Sequence, residues 1–157
     1  MKKLFFLAAL FLALGTIAES CKKDDPEPEP QTNGNDTDDV FTLSDEGVTF
    51  VSPGLIKQHS DGFITIAAAM SFTAGYGLAI ADTLNAGTYN LVPISPVQLT
   101  KTENSGSVNY TQQTGTLVIT AHDKTAHTIS GTFSGTLMLS GGSQTRTITN
   151  GAFDFNY

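Results

Sequence analysis

The stretch "TISGTFSGTLML" at residues 128–139 repeats with a period of two: Ile129, Gly131, Phe133, Gly135, Leu137 and Leu139 share one side, and Thr128, Ser130, Thr132, Ser134 and Thr136 the other. Successive side chains of an extended chain point to opposite faces, so this is a strand with one apolar and one hydroxyl-bearing face. "GG" at 141 and 142 supplies a two-residue hairpin turn. Closing the chain there sets Gly135 against Ile148 and Leu137 against Arg146 in the returning "TRTITNGAFDFNY" at 145–157. Beyond Asn150-Gly151 the apolar positions change from even to odd, to Phe153, Phe155 and Tyr157. One extra residue at that point, a β-bulge, restores register, opposes Ile129 to Phe155 and lays Phe153 over Gly131. A separate tight hairpin at Asn150-Gly151, with Ile148 opposite Phe153, is the alternative. The bulge is preferred because it keeps a partner for the long strand that starts at Thr128.

The same period recurs upstream. In "FITIAAAMSF" (63–72), Ile64, Ile66, Ala68, Met70 and Phe72 share a face, with Thr65, Ala67, Ala69 and Ser71 on the other. "YGLAIAD" repeats it with Tyr76, Leu78 and Ile80, "GTYNL" with Tyr89 and Leu91, and "TLVITAHD" with Leu117, Ile119 and Ala121. No window past Val40 carries apolar residues at helical spacing. Strands of this length, punctuated by turns such as Asp61-Gly62, predict an all-β domain over 40–157, an antiparallel β-sandwich or barrel. The chain's one cysteine lies outside that span, so no disulfide supports the core, which about 115 ordered residues can sustain alone.

The N-terminal part reads differently. Lys2 and Lys3, an apolar run at 4–14 and small residues up to Ser20 form a secretory signal over 1–20, too short for a membrane span. Cys21 follows at once. A signal-type apolar run ending at a lone cysteine resembles a bacterial lipoprotein signal, which implies cleavage before Cys21 and a diacylglyceryl thioether on its sulfur. Ala18 and Glu19 stand where such signals usually carry leucine and a small residue. Lys22, Lys23, Asp24 and Asp25 resemble the export signal that sends Bacteroidota-type lipoproteins to the outer face of the outer membrane. Residues 21–39 then form an acidic, proline-punctuated linker whose composition offers no apolar surface to offset the entropy of ordering. Two or three acyl chains anchor a protein this size, at about 0.8 kcal/mol per buried CH₂.

"ISGTFSGTLML…TRTITNGAFDFNY", preceded by "GTLVITAHDKTAHT", also resembles an uncharacterised family of Bacteroidota lipoproteins, with a looser match at "AGTYNL" (86–91). That family has no assigned activity, so the resemblance implies a fold and an address and no catalytic residue.

The acidic balance belongs to the linker: residues 22–46 hold two basic and nine acidic side chains. The rest of the domain sets Lys57, Lys101, Lys124 and Arg146 against Asp61, Asp82, Glu103, Asp123 and Asp154. So few cations predict no nucleic-acid partner. His122 and His127 with Asp123 could flank a turn and gather a metal, but a third ligand is missing. "HSD" at 59–61 holds triad letters on adjacent residues, which cannot meet in triad geometry. No spacing nominates a general acid/base pair. The expectation is therefore no catalytic residue, no metal and no cofactor. Asp82-Thr83-Leu84 fits a short O-glycosylation pattern at Thr83. The predicted function is non-catalytic: an envelope domain, membrane-attached through its lipid, binding a glycan or envelope protein, with Tyr76, Tyr89 and Tyr110 as stacking platforms. The alternative is a small barrel holding an apolar ligand in a cavity lined by Ile64, Ile66, Met70, Leu117 and Phe133.

Overall fold

The computed structural model describes residues 39–157. The signal segment 1–20, Cys21, the charged run 22–25 and the linker as far as residue 38 lie outside the described residues. Ten strands follow: β1 (Val40–Asp45), β2 (Val48–Val51), β3 (Leu55–Ser60), β4 (Phe63–Ser71), β5 (Ala74–Ala81), β6 (Gly87–Asn90), β7 (Val97–Glu103), β8 (Val108–Asp123), β9 (Thr128–Leu139) and β10 (Thr145–Asn156). They build one antiparallel sheet in the order β2-β1-β10-β9-β8-β7-β5-β4-β3, with β6 lying against β8. The expected all-β class holds, and the sheet curls into a half-barrel.

Its register follows the apolar pairing. Gly135 opposes Ile148, Leu137 opposes Arg146, Ile129 opposes Phe155 and Gly131 opposes Phe153. The shift lies between Ile148 and Gly151 inside a single β10, with Asn150 at φ 52°, so the bulge and not the second hairpin is what forms. Asn150 tolerates this left-handed conformation because its short amide can bond locally. Further register shifts interrupt β1 between Thr42 and Ser44, β4 between Ala69 and Ser71, and β8 at 112–114 and 119–121. Each bulge adds local twist, and their sum bends the sheet.

The concave face is apolar and filled. Leu43, Ile64, Ile66, Leu78, Ile80 and Leu117 are fully buried there, and Phe133 packs its ring 5.5 Å from Phe41 and 6.4 Å from Phe153. Two glycines make this stacking possible. A Cβ on Gly131 would lie 2.2 Å from the Val118 carbonyl oxygen and 2.6 Å from the Phe153 ring; one on Gly151 would lie 2.6 Å from the Phe133 ring. Each ring thus covers bare backbone on the neighbouring strand.

Strand pairing defines two ends. At one lie the turns at Glu46-Gly47, 72–73, Asn104–Gly106 and 140–143; at the other lie Asp39, Asp61-Gly62, 82–86, 124–127 and Tyr157. At the second end the sheet's outer strand β3 is tied back to the start of β1 and the end of β10. Lys57 Nζ lies 2.6 Å from Asp39 Oδ2 and also donates to Asn156 Oδ1, and the His59 and Tyr157 rings meet edge-on at 5.1 Å.

Two positions depart from simple alternation. Period two places Phe72 on the inner face with Ile64 and Met70. The register shift after Ala69 and the turn that follows direct it outward, where it is fully exposed at 108%. The same period places Ala121 beside Leu117 and Ile119. The bulge between Ile119 and Ala121 instead pairs His122 with the buried Ile129 and leaves Ala121 exposed.

Candidate functional site

The first end is closed by charge. Period two on β7 puts Lys101 in line with the buried Val97 and Leu99, so its stem follows the core face and its ammonium reaches the mouth. There Nζ lies 2.6 Å from Asp45 Oδ2 and 2.7 Å from Glu103 Oε1, and stands over the Tyr76 and Tyr110 rings at 5.8 and 5.7 Å. Arg146 reaches Glu103 at 3.6 Å and lies over Tyr110 at 5.7 Å. A hydrogen bond with Tyr110 holds its guanidinium pKa above the usual value. Two cations thus balance two carboxylates, which makes the cluster a plug that exposes no surplus charge. Asp45 Oδ1 alone among its buried polar atoms has no hydrogen-bond partner.

Tyr76 donates from its hydroxyl to Asp45 Oδ2 at 2.7 Å. Burial, then that hydrogen bond and the Asp45 charge, hold the phenol protonated far above its ordinary value of 10.0. The unfolded chain releases this proton from about pH 10 while the native chain keeps it, so the native state then binds more protons and loses stability as pH rises. This contribution is complete below pH 10 and fades above it, by up to about 1.4 kcal/mol per pH unit. Urea unfolding across this alkaline range should show the wild type losing ground to Tyr76→Phe. Parallel curves would place the phenol outside the network.

The other end gathers the histidines. His122 Nδ1–H donates to the Leu84 carbonyl at 2.7 Å, since a carbonyl oxygen only accepts, and its Nε2 lies 2.8 Å from the Tyr157 hydroxyl oxygen. His59 and His127 stack edgewise on the same tyrosine, and His59 Nε2 lies 3.1 Å from Asp82 Oδ2. Burial, then the charges of Asp82 and Asp123, raise the Tyr157 pKa. Together with Thr83 and Lys124, the His59, His127, Asp82 and Tyr157 side chains line a cavity of 240 Å³. Among the described residues no group of three or more His, Cys, Asp or Glu side chains is arranged to hold a metal ion. Asp123 accepts from the backbone N–H groups of Thr125 and Ala126, which lowers its pKa and fixes the turn.

A second concavity, of 360 Å³, lies on the convex face over β3, β4, β5 and β7. Its floor is Ala67, Ala69, Gly75 and Gly77, its sides are Thr100 and Thr102, and Ile56 and Phe72 stand at its margin. The feature that makes it is the run of small outward residues, Ala67 and Ala69 on β4 and Gly75 and Gly77 on β5.

The residues singled out in the sequence scatter over these places. Tyr76 and Tyr110 are each 2% exposed and belong to the plug, so neither ring offers a stacking face; the inward parity that Tyr76 shares with Leu78 and Ile80 is the reason. Tyr89 is half-buried, its hydroxyl bonded to the backbone of Asn85. Thr83 is exposed, and its carbonyl accepts from Lys124 Nζ at 3.1 Å. Asp61 occupies a hairpin turn at φ 53°. Sequence reasoning missed the plug, although Lys101 on the apolar parity of "VQLTK" was its visible sign.

Residues 38–155 match DUF6252, a domain of unknown function. The chain belongs to the DUF6252 family. No curated protein and no solved structure gives a significant match. The matched DUF6252 region spans all ten strands except the last residue of β10, so plug, histidine cluster and convex groove lie almost wholly within the family domain, with Tyr157 just beyond it.

Proposed function

We propose that this chain is a lipid-anchored β-domain of the cell envelope, carried on the outer membrane by Cys21 with the domain facing outward, and that it works by binding. The observation that carries the binding part is the filled interior. Ile64, Ile66, Leu117 and Phe133 pack against the chain's own Phe41 and Phe153, so a ligand finds its place on the outside of the sheet. That convex surface is rich in Ser, Thr, Ala and Gly, while the charged groups at the two ends are engaged with one another. The packed interior equally disfavours an apolar ligand held inside a barrel. The anchor rests on a signal-type segment that ends at the chain's single cysteine. Mass spectrometry of the protein purified from its native membrane is expected to return a chain that starts at an acylated Cys21. An unmodified Cys21, or a chain still starting at Met1, overturns the anchor and with it the address.

A further inference from the structure

We infer that the convex groove over β3, β4, β5 and β7 is a binding site for a neutral glycan, with Phe72 as the stacking platform. The inference deepens the binding reading above by naming the surface and the ligand class. Three properties of the groove carry it. First, none of its lining side chains is charged, in a domain whose two ends are both charged. An ion placed there would lose hydration for no partner, whereas a neutral ligand loses little.

Second, its hydroxyls are held loosely. Thr100 Oγ1 donates to the Gly77 carbonyl at 3.4 Å and Thr102 Oγ1 to the Gly75 carbonyl at 3.5 Å. The Ser71 and Thr73 hydroxyls lie 3.4 Å apart. All of these sit at the long limit for O–H···O bonds, whose preferred distance is about 2.7–2.8 Å. Each hydroxyl therefore retains capacity to donate and accept, and sugar hydroxyls need both. Gly77 keeps Thr100 in this position, since a Cβ there would lie 2.8 Å from Oγ1.

Third, the largest apolar side chain at the margin is left in water. Phe72 is 108% exposed on the β4–β5 turn, and that turn is braced by the Ser105 N–H donating to the Thr73 carbonyl at 2.9 Å. A ring on a fixed turn beside a flat floor of Ala67, Ala69, Gly75 and Gly77 presents an apolar plane of the kind that receives the C–H face of a pyranose. A volume of 360 Å³ falls at the small end of the ligand-site range, which starts at about 300 Å³. Phe72 also lies at the end of the strands opposite Asp39.

The test is NMR titration of the full-length chain, in detergent, with cellohexaose, laminarihexaose, xylohexaose and maltohexaose at millimolar concentration. At least one is expected to shift the backbone amides of Ala67, Ala69, Gly75, Gly77, Thr100 and Thr102. Phe72→Ala should weaken that sugar at least tenfold, as should Thr100→Val combined with Thr102→Val. Ile94→Ala removes a different exposed apolar side chain and should leave binding unchanged. Because Phe72 is fully exposed its loss should not disturb the fold, which the variant's own spectrum checks. Several results overturn the inference: no shift with any sugar, shifts centred elsewhere, shifts that survive both variants, or a groove that responds instead to phosphatidylcholine vesicles, an apolar peptide or trigalacturonate. Sugar binding and Cys21 acylation have separate readouts, so the glycan site can fail while the anchor stands, and the reverse.

Discussion

Lys101→Ala is expected to lower the unfolding free energy by about 3–5 kcal/mol, the usual cost of removing one partner of a buried ion pair. The lysine side chain is 5% exposed and neutralises Asp45, whose own side chain is 9% exposed. Without it, Asp45 keeps only the Tyr76 hydroxyl as a donor to Oδ2, while Oδ1 already lacks a partner. Glu103 suffers less, since it is more exposed and retains Arg146. The loss should therefore reside in Asp45. That attribution is checked by adding Asp45→Asn to Lys101→Met: with the stranded charge gone and the stem volume kept, the double variant should recover most of the stability seen in denaturant unfolding. If it is no better than Lys101→Ala, the damage lies in packing and the charge account fails.

Gly131→Ala should be nearly as harmful, at or above about 3 kcal/mol, because overpacking is costly where the obstacle is main chain. Its Cβ would lie 2.2 Å from the Val118 carbonyl oxygen, in a ladder that pairs β8 with β9 and cannot step aside locally. The atoms nearest to a Cβ on Gly151 belong to the Phe133 ring, at 2.6 Å, and not to main chain. The two sites should separate in double-mutant cycles. Phe133→Leu is expected to relieve a good part of the Gly151→Ala defect, whereas Phe153→Leu should relieve little of the Gly131→Ala defect. Equal rescue at both would show that ring crowding, and not strand spacing, dictates glycine at 131.

The C-terminal hairpin was legible because three local signals agreed: the Gly141-Gly142 turn, the switch of apolar parity at Asn150-Gly151, and Gly131 as a place for the Phe153 ring. The bulge that turns His122 inward was not, since no Gly or Asn marks residues 119–121 and either parity leaves plausible residues on each face. The plug shows the opposite case. Alternation already placed Tyr76 and Lys101 on the core face, and reading Tyr76 as a surface platform set the residue type above the period. Phe72 escapes the pattern for a related reason: period two cannot announce where a strand stops, and β4 ends at Ser71, after a register shift that has already displaced its parity. The histidine cluster assembles β3, the β5–β6 turn, the end of β8 and the residue after β10, and such distant neighbours leave no local pattern.

The pairing of β1 with β10, which sets Val40 beside Asp154, has a kinetic consequence. A strand that emerges first must wait for one that emerges last, and loops of that size close slowly. The domain would then stay pliable until β10 is free to pair, whatever the earlier strands have already formed.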